Sequence, residues 1–106
     1  MRTEIGRVAL AELPPGAKRR LARPPYHVLV VNVGGTVHAL EDACPHSGVS
    51  LCEGMLDGAQ ITCDGHGWVI DVRSGRVLVP DGIGDANPCF EVEVVAGWAV
   101  VLEPER

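Results

Sequence analysis

Residues 44–68 read CPHSGVSLCEGMLDGAQITCDGHGW, and within them cysteine and histidine recur as two short clips. Cys44 and His46 have one residue between them; Cys63 and His66 have two; sixteen residues separate the clips. Half of the four cysteines and half of the four histidines of a 106-residue chain lie in these two clips. On an extended segment residues i and i+2 point to the same side, so Cys44 and His46 make parallel prongs about 6 to 7 Å apart at the backbone. Gly58 can reverse the intervening chain and bring Cys63 and His66 round to face them. Glycines at 48, 65 and 67 let backbone amides approach closely and donate to anionic sulfur. The pattern predicts a four-ligand site of two thiolates and two imidazoles. Zinc also accepts such a set, but its usual clips are longer than cysteine-one-residue-histidine. A binuclear cluster suits the spacing better, with the cysteines on one iron and the histidines on the other.

Outward from the clips, the periodicity is that of short strands. YHVLVVNV at 26–33 is rich in valine and ends at Gly34-Gly35, a pair suited to the positive φ angles of a tight hairpin, with TVHAL at 36–40 returning as its partner. AQITC at 59–63, WVIDV at 68–72 and GRVLV at 75–79 are further candidates. FEVEVV at 90–95 alternates cleanly and WAVVLE at 98–103 makes the other arm of a hairpin; VALAEL at 8–13 alternates only loosely. No amphipathic helix is expected, because Pro14-Pro15-Gly16 breaks the one candidate segment. The thirteen glycines and eight prolines fall mostly between these runs, which indicates an all-β chain, an antiparallel sandwich or small barrel.

The length suits one domain with one core. A net charge of -5 argues against nucleic acid as a partner and would suit a basic docking face. No apolar run approaches the roughly 20 residues of a membrane span, and the N-terminus lacks a signal-peptide pattern. The cytoplasm is the expected compartment, where cysteines are more often ligands than disulfides.

The residues around the clips carry a resemblance. C-x-H, sixteen residues, C-x-x-H resembles the Rieske [2Fe-2S] signature, in which two histidines replace two cysteines on one iron. ALEDACPHSGVSLCEGML resembles the first loop of Rieske ferredoxins and its approach, and CDGHGWVIDVRSG resembles the second loop with the following strand and turn. LAELPPGAKRRL, the hairpin at Gly34-Gly35 and FEVEVVAGWAVVL fall in the order of small bacterial Rieske ferredoxins, so the likeness covers nearly the whole chain. It implies a Rieske-type fold with a smaller cluster-binding subdomain at about residues 43–70. It also implies one [2Fe-2S] cluster bound by Cys44, His46, Cys63 and His66, with the histidines at the exposed tip. The family role is that of an electron carrier without a catalytic site, passing single electrons from a flavoprotein reductase to a terminal oxygenase. That oxygenase would be a ring-hydroxylating dioxygenase or a di-iron monooxygenase; a monomer is expected, without nucleic acid or membrane. The alternative within the family is a small subunit of assimilatory NADH nitrite reductase. A structural zinc domain is the alternative outside it.

High-potential Rieske proteins carry an extra cysteine in each loop and hydroxyl donors to the cluster sulfurs. Here those places read Val49 and Gly65, and Trp68 and Ile70. Hydrogen bonds to the sulfurs stabilise the reduced cluster, so their loss predicts the low end of a range of roughly -150 to +300 mV. Cys52 and Cys89 read as buried small hydrophobes; a four-cysteine cluster using them would strand both histidines, and a disulfide between them is the lesser alternative. Trp68 and Trp98 are expected to pack in the core. AKRRLAR at 17–23 reads as a solvated strand face, and His27 and His38 as surface or satisfied strand positions. Pro80 and Pro88 are the candidates for a proline-bearing cover over the cluster.

Overall fold

A computed structural model describes residues 3–22, 27–44, 48–64, 67–82, 84 and 86–103. Its ten strands are β1 (Glu4–Ala9), β2 (Lys18–Leu21), β3 (Val28–Val33), β4 (Thr36–Glu41), β5 (Met55–Asp57), β6 (Gln60–Thr62), β7 (Val69–Asp71), β8 (Val77–Val79), β9 (Cys89–Val95) and β10 (Trp98–Leu102). Among the described residues there is no α-helix, only 3-10 turns at Leu10–Glu12 and Leu51–Glu53.

The architecture follows from β3. A strand that is apolar at successive positions needs cover on both faces, and Val28, Leu29, Val30 and Val31 are all fully buried. Val28 and Val30 pack with Val8, Leu13, Ala39 and Val101 in one core. Leu29 and Val31 turn to the other face and pack with Leu40, Leu51, Ile61, Ile70, Cys44 and Cys63 in a second. The polar interruption, Asn32, is buried and satisfied: its amide donates to the Leu13 carbonyl at 2.8 Å and its carbonyl accepts from the Gly35 N–H at 2.8 Å. Gly34 and Gly35 have φ of 58° and 101°, the left-handed conformations that the tight hairpin demands.

Two sheets enclose these cores. Six strands lie in the order β1-β10-β9-β4-β3-β2 and pair antiparallel. The ends of this sheet curl toward each other: a Cβ on Gly6 of β1 would stand 3.2 Å from Leu21 of β2, so the sheet is a nearly closed barrel. The four-stranded meander β5-β6-β7-β8 carries Ile61 and Ile70 onto the core beneath Leu29 and Val31. The all-β antiparallel expectation therefore holds.

The details differ in places. Residues 8–13 are half strand and half 3-10 turn: the Leu10 N–H leaves the ladder for the Gly97 carbonyl, and Pro14-Pro15 follow without donors. Strand β5 was not expected, being three residues long and closed by the turn at Gly58. Trp98, expected in the core, is 40% exposed, because it is the first residue of β10, at the hairpin end beside the exposed Val95, where the cover over the rest of the strand stops.

Candidate metal centre

Each clip's cysteine sits on a loop that leaves the end of a strand, and the two loops share one backbone frame. The Cys44 N–H donates to the Val49 carbonyl at 2.7 Å, and the Gly48 N–H returns to the Cys44 carbonyl at 2.8 Å. The Cys63 N–H donates to the Trp68 carbonyl at 2.7 Å, and the Gly67 N–H returns to the Cys63 carbonyl at 3.3 Å. The glycine is the fourth residue after the cysteine in both, with φ of 76° and 72°. That conformation closes the turn and suits a residue without Cβ. Cys44 and Cys63 form no disulfide, are each only 2% exposed, and share the second core. Pro45, His46, Ser47, Gly65 and His66 lie outside the described residues.

The bases of the loops are fastened by polar side chains that sequence reasoning missed. The buried Asp42 carboxylate accepts from the Ser50 hydroxyl at 2.5 Å and from the Cys52 N–H at 2.8 Å, tying the chain before Cys44 to the chain after Val49. Lys18 of β2 donates to the Cys52 carbonyl at 2.7 Å and adds the barrel edge to this brace. Asn87 clamps the other side, its amide donating to the carbonyls of Glu41 at 3.0 Å and Ala43 at 2.8 Å. Its own N–H bonds to the Gly75 carbonyl, so the segment beyond the cis Val79-Pro80 bond is stitched to both the β7–β8 turn and the first loop. A polar residue two before a ligand candidate was a signal for Asp42. Asn87 offered none, since its partners are more than forty residues distant in sequence.

The remaining titratable groups separate from the loops. Burial pushes the thiols of Cys52 and Cys89 above their ordinary value of 9.0, so both are protonated at neutral pH. They are half-buried, unbridged, and packed against the second core, in keeping with the packing role expected of them. His38 is held below its usual 6.5, first by burial and then by the Arg73 guanidinium, with Asp71 opposing. Asp71 lies below its usual 3.8, chiefly through the hydrogen bond from Arg73, with Nη2 at 3.0 Å.

Two buried thiols on matched loops, with no bridge between them, fit a soft metal that prefers thiolate. The described donors by themselves make no group of three or more His, Cys, Asp or Glu. Comparison with known proteins identifies the arrangement. The family model for the Rieske [2Fe-2S] domain matches residues 6–83. The chain belongs to the Rieske family. Ferredoxin CarAc of Metapseudomonas resinovorans is 39% identical over 104 residues, covering 92% of each chain. The ferredoxin component of the alkene monooxygenase system of Xanthobacter autotrophicus is 41% identical over 81 residues, covering 72% of this chain and 62% of that one. A solved complex of reduced oxygenase and oxidized ferredoxin in carbazole 1,9a-dioxygenase contains a chain that superimposes with a TM-score of 0.83 at 34% identity, covering 92% of this chain and 91% of that one. A Rieske chain of this kind holds one Rieske-type [2Fe-2S] cluster. No helix among the described residues is long and apolar enough to cross a membrane.

Proposed function

We propose that this chain is a Rieske ferredoxin, a single domain over residues 1–106 that carries single electrons from an NAD(P)H-dependent flavoprotein reductase to a terminal oxygenase. The observation that carries the reading is the pair of matched loops, each presenting one buried cysteine, outside any disulfide, from the same backbone frame. Cys44 and Cys63 would hold one iron, and His46 and His66 the other. When bound, the cluster supplies one-electron redox chemistry. The chain keeps the thiolates away from water by burial, and through Asp42 and Asn87 it fixes the loops that carry them. The relatives support the role: one is named a ferredoxin, and others a ferredoxin component of an alkene monooxygenase system and a ferredoxin subunit of biphenyl dioxygenase. The cytoplasm is the compartment in which reduced cysteines and such partners meet.

The potential follows from the second loop. Ile70 is fully buried in the core that holds both cysteines, and Trp68 packs against it, so apolar groups stand where hydroxyl donors would raise the potential. The expected midpoint lies at the low end of the Rieske range of roughly -150 to +300 mV.

The functional test is anaerobic. Cluster-loaded protein is reduced by NADH through a catalytic amount of flavoprotein reductase and mixed with an oxidised Rieske or di-iron oxygenase. Reoxidation by one electron per cluster, saturable in oxygenase, is the expected result. No exchange with any free oxygenase, together with isolation as a fixed stoichiometric partner of a large reductase subunit, would overturn the shuttle role.

A further inference from the structure

The β1 and β2 edges approach each other without pairing, and the seam between them is concave. A groove of about 200 Å³ runs there, lined among others by Arg7, Glu12, Arg19, Arg20, Leu21 and Trp98. The Arg7 guanidinium lies 5.7 Å from the Trp98 ring centroid and is held in place by Glu4, Nη2 to Oε1 at 2.6 Å. Arg19 and Arg20 are exposed and pair with no carboxylate among the described residues; Arg19 Nε reaches only the Glu12 backbone carbonyl, at 3.4 Å. Beside the groove, Val95 stands opposite Trp98 across the β9–β10 hairpin, 52% exposed. A chain of net charge -5 thus sets three guanidinia, one of them ion-paired to Glu4, and the Glu12 carboxylate around an exposed tryptophan. Tryptophan and arginine are the residue types over-represented where protein partners bind tightly.

The hairpin end lies away from the cysteine loops. Strand β9 starts at Cys89, opposite Leu40, just after Asn87 reaches Ala43 beside Cys44. Val95 is six residues further along, about 20 Å at strand rise.

We propose that this seam is a docking site for an acidic segment of a partner protein, seating an apolar side chain on Trp98 and Val95 and carboxylates on Arg19 and Arg20. Charge selects this occupant. Carboxylates match the fork of a guanidinium; a second copy docked seam to seam would oppose guanidinia to guanidinia; and the net negative charge repels polyphosphate. Trp98 and Val95 lie at the end of the barrel away from the cysteine loops, while β2 reaches toward the first of them through Lys18 and the Cys52 carbonyl. The site stands independently of which electron partner the loops meet.

The probe is a blocked peptide of alternating glutamate and leucine, titrated into the cluster-loaded full chain and followed by amide and indole NMR. Its lysine-for-glutamate counterpart is the control. The expected result is a saturable shift of the Trp98 indole and of the Ala9 and Leu21 amides, weakened by salt and absent with the lysine peptide. The double variant Arg19→Glu/Arg20→Glu should weaken binding at least about tenfold while melting temperature stays unchanged. Shifts that are absent, equal with both peptides, or centred on the loops of Cys44 and Cys63 would overturn the proposal. So would an affinity indifferent to the double reversal. Trp98→Ala, which truncates an exposed ring, gives a second variant with the same expected loss.

Discussion

Asn87 does for the first cysteine loop what no nearby residue can, satisfying the carbonyls of Glu41 and Ala43 with one amide. Asn87→Ala leaves both carbonyls without that donor, and the expected cost is about 1–3 kcal/mol. Because Ala43 adjoins Cys44, the same variant should lose iron to a chelator faster than wild type, measured as bleaching of the visible absorption. Unchanged chelation with lowered stability would make the clamp purely structural. His38 gives a pH dependence. Burial and Arg73 keep its folded value below 6.5, so as pH falls below 6.5 the unfolded chain takes up the proton first. Stability is therefore lost on acidification through that window and is unaffected above it. His38→Gln should remove this part of the loss, read from urea midpoints at pH 7.5 and 5.5; an equal loss in both proteins would exclude the imidazole. Asp71 acts in a separate window, its contribution present above 3.8 and lost below as Arg73 loses its partner. These residues show the limit of sequence reading. The cysteine and histidine clips announce themselves by spacing, whereas Asn87 and the pair His38 and Asp71 become neighbours only through tertiary packing.

At the scale of elements, β3 separates two cores, and substitution on its two faces should have different consequences. Leu29→Ala opens a cavity in the core that contains Cys44 and Cys63, at about 2–5 kcal/mol, and should disturb the reduced cluster's magnetic resonance spectrum. Val30→Ala faces the barrel core with Val8 and Val101, so it should lower stability while leaving that spectrum unchanged. Identical spectral changes from both would contradict the two-core arrangement. The β7–β8 turn has its own requirement. Gly75 has φ of 77°, and a Cβ there would overlap the Asn87 carbonyl oxygen, so Gly75→Ala should cost about 2 kcal/mol or more in a thermal or urea melt. The β3–β4 and β9–β10 hairpins were legible because valine runs and glycine turns are local signals. Strand β5 was not, since three residues carry too little periodicity, and the exposure of Trp98 was hidden because an aromatic at a strand end does not declare where the core's cover stops.

For the molecule as a whole, most of the fold class and the family were legible in the clips and in the order of hairpins around them. The brace of Lys18, Asp42 and Asn87 was not, nor was the basic seam, which in sequence was only a charged run. The polarity of the molecule divides into two surfaces, the loops bearing Cys44 and Cys63 and the seam bearing Arg7 and Trp98. A low midpoint potential would agree with the apolar Trp68 and Ile70 beside the second loop; one near the top of the Rieske range would mean that other donors reach the sulfurs. The most direct test of the ligand set is low-temperature electron paramagnetic resonance of the dithionite-reduced protein. Two histidine nitrogens on one iron should lower the average g value below that of all-cysteine [2Fe-2S] ferredoxins, with nitrogen couplings lost in His46→Cys and His66→Cys. A spectrum with the all-cysteine average and no nitrogen coupling would contradict the assignment of Cys44, His46, Cys63 and His66.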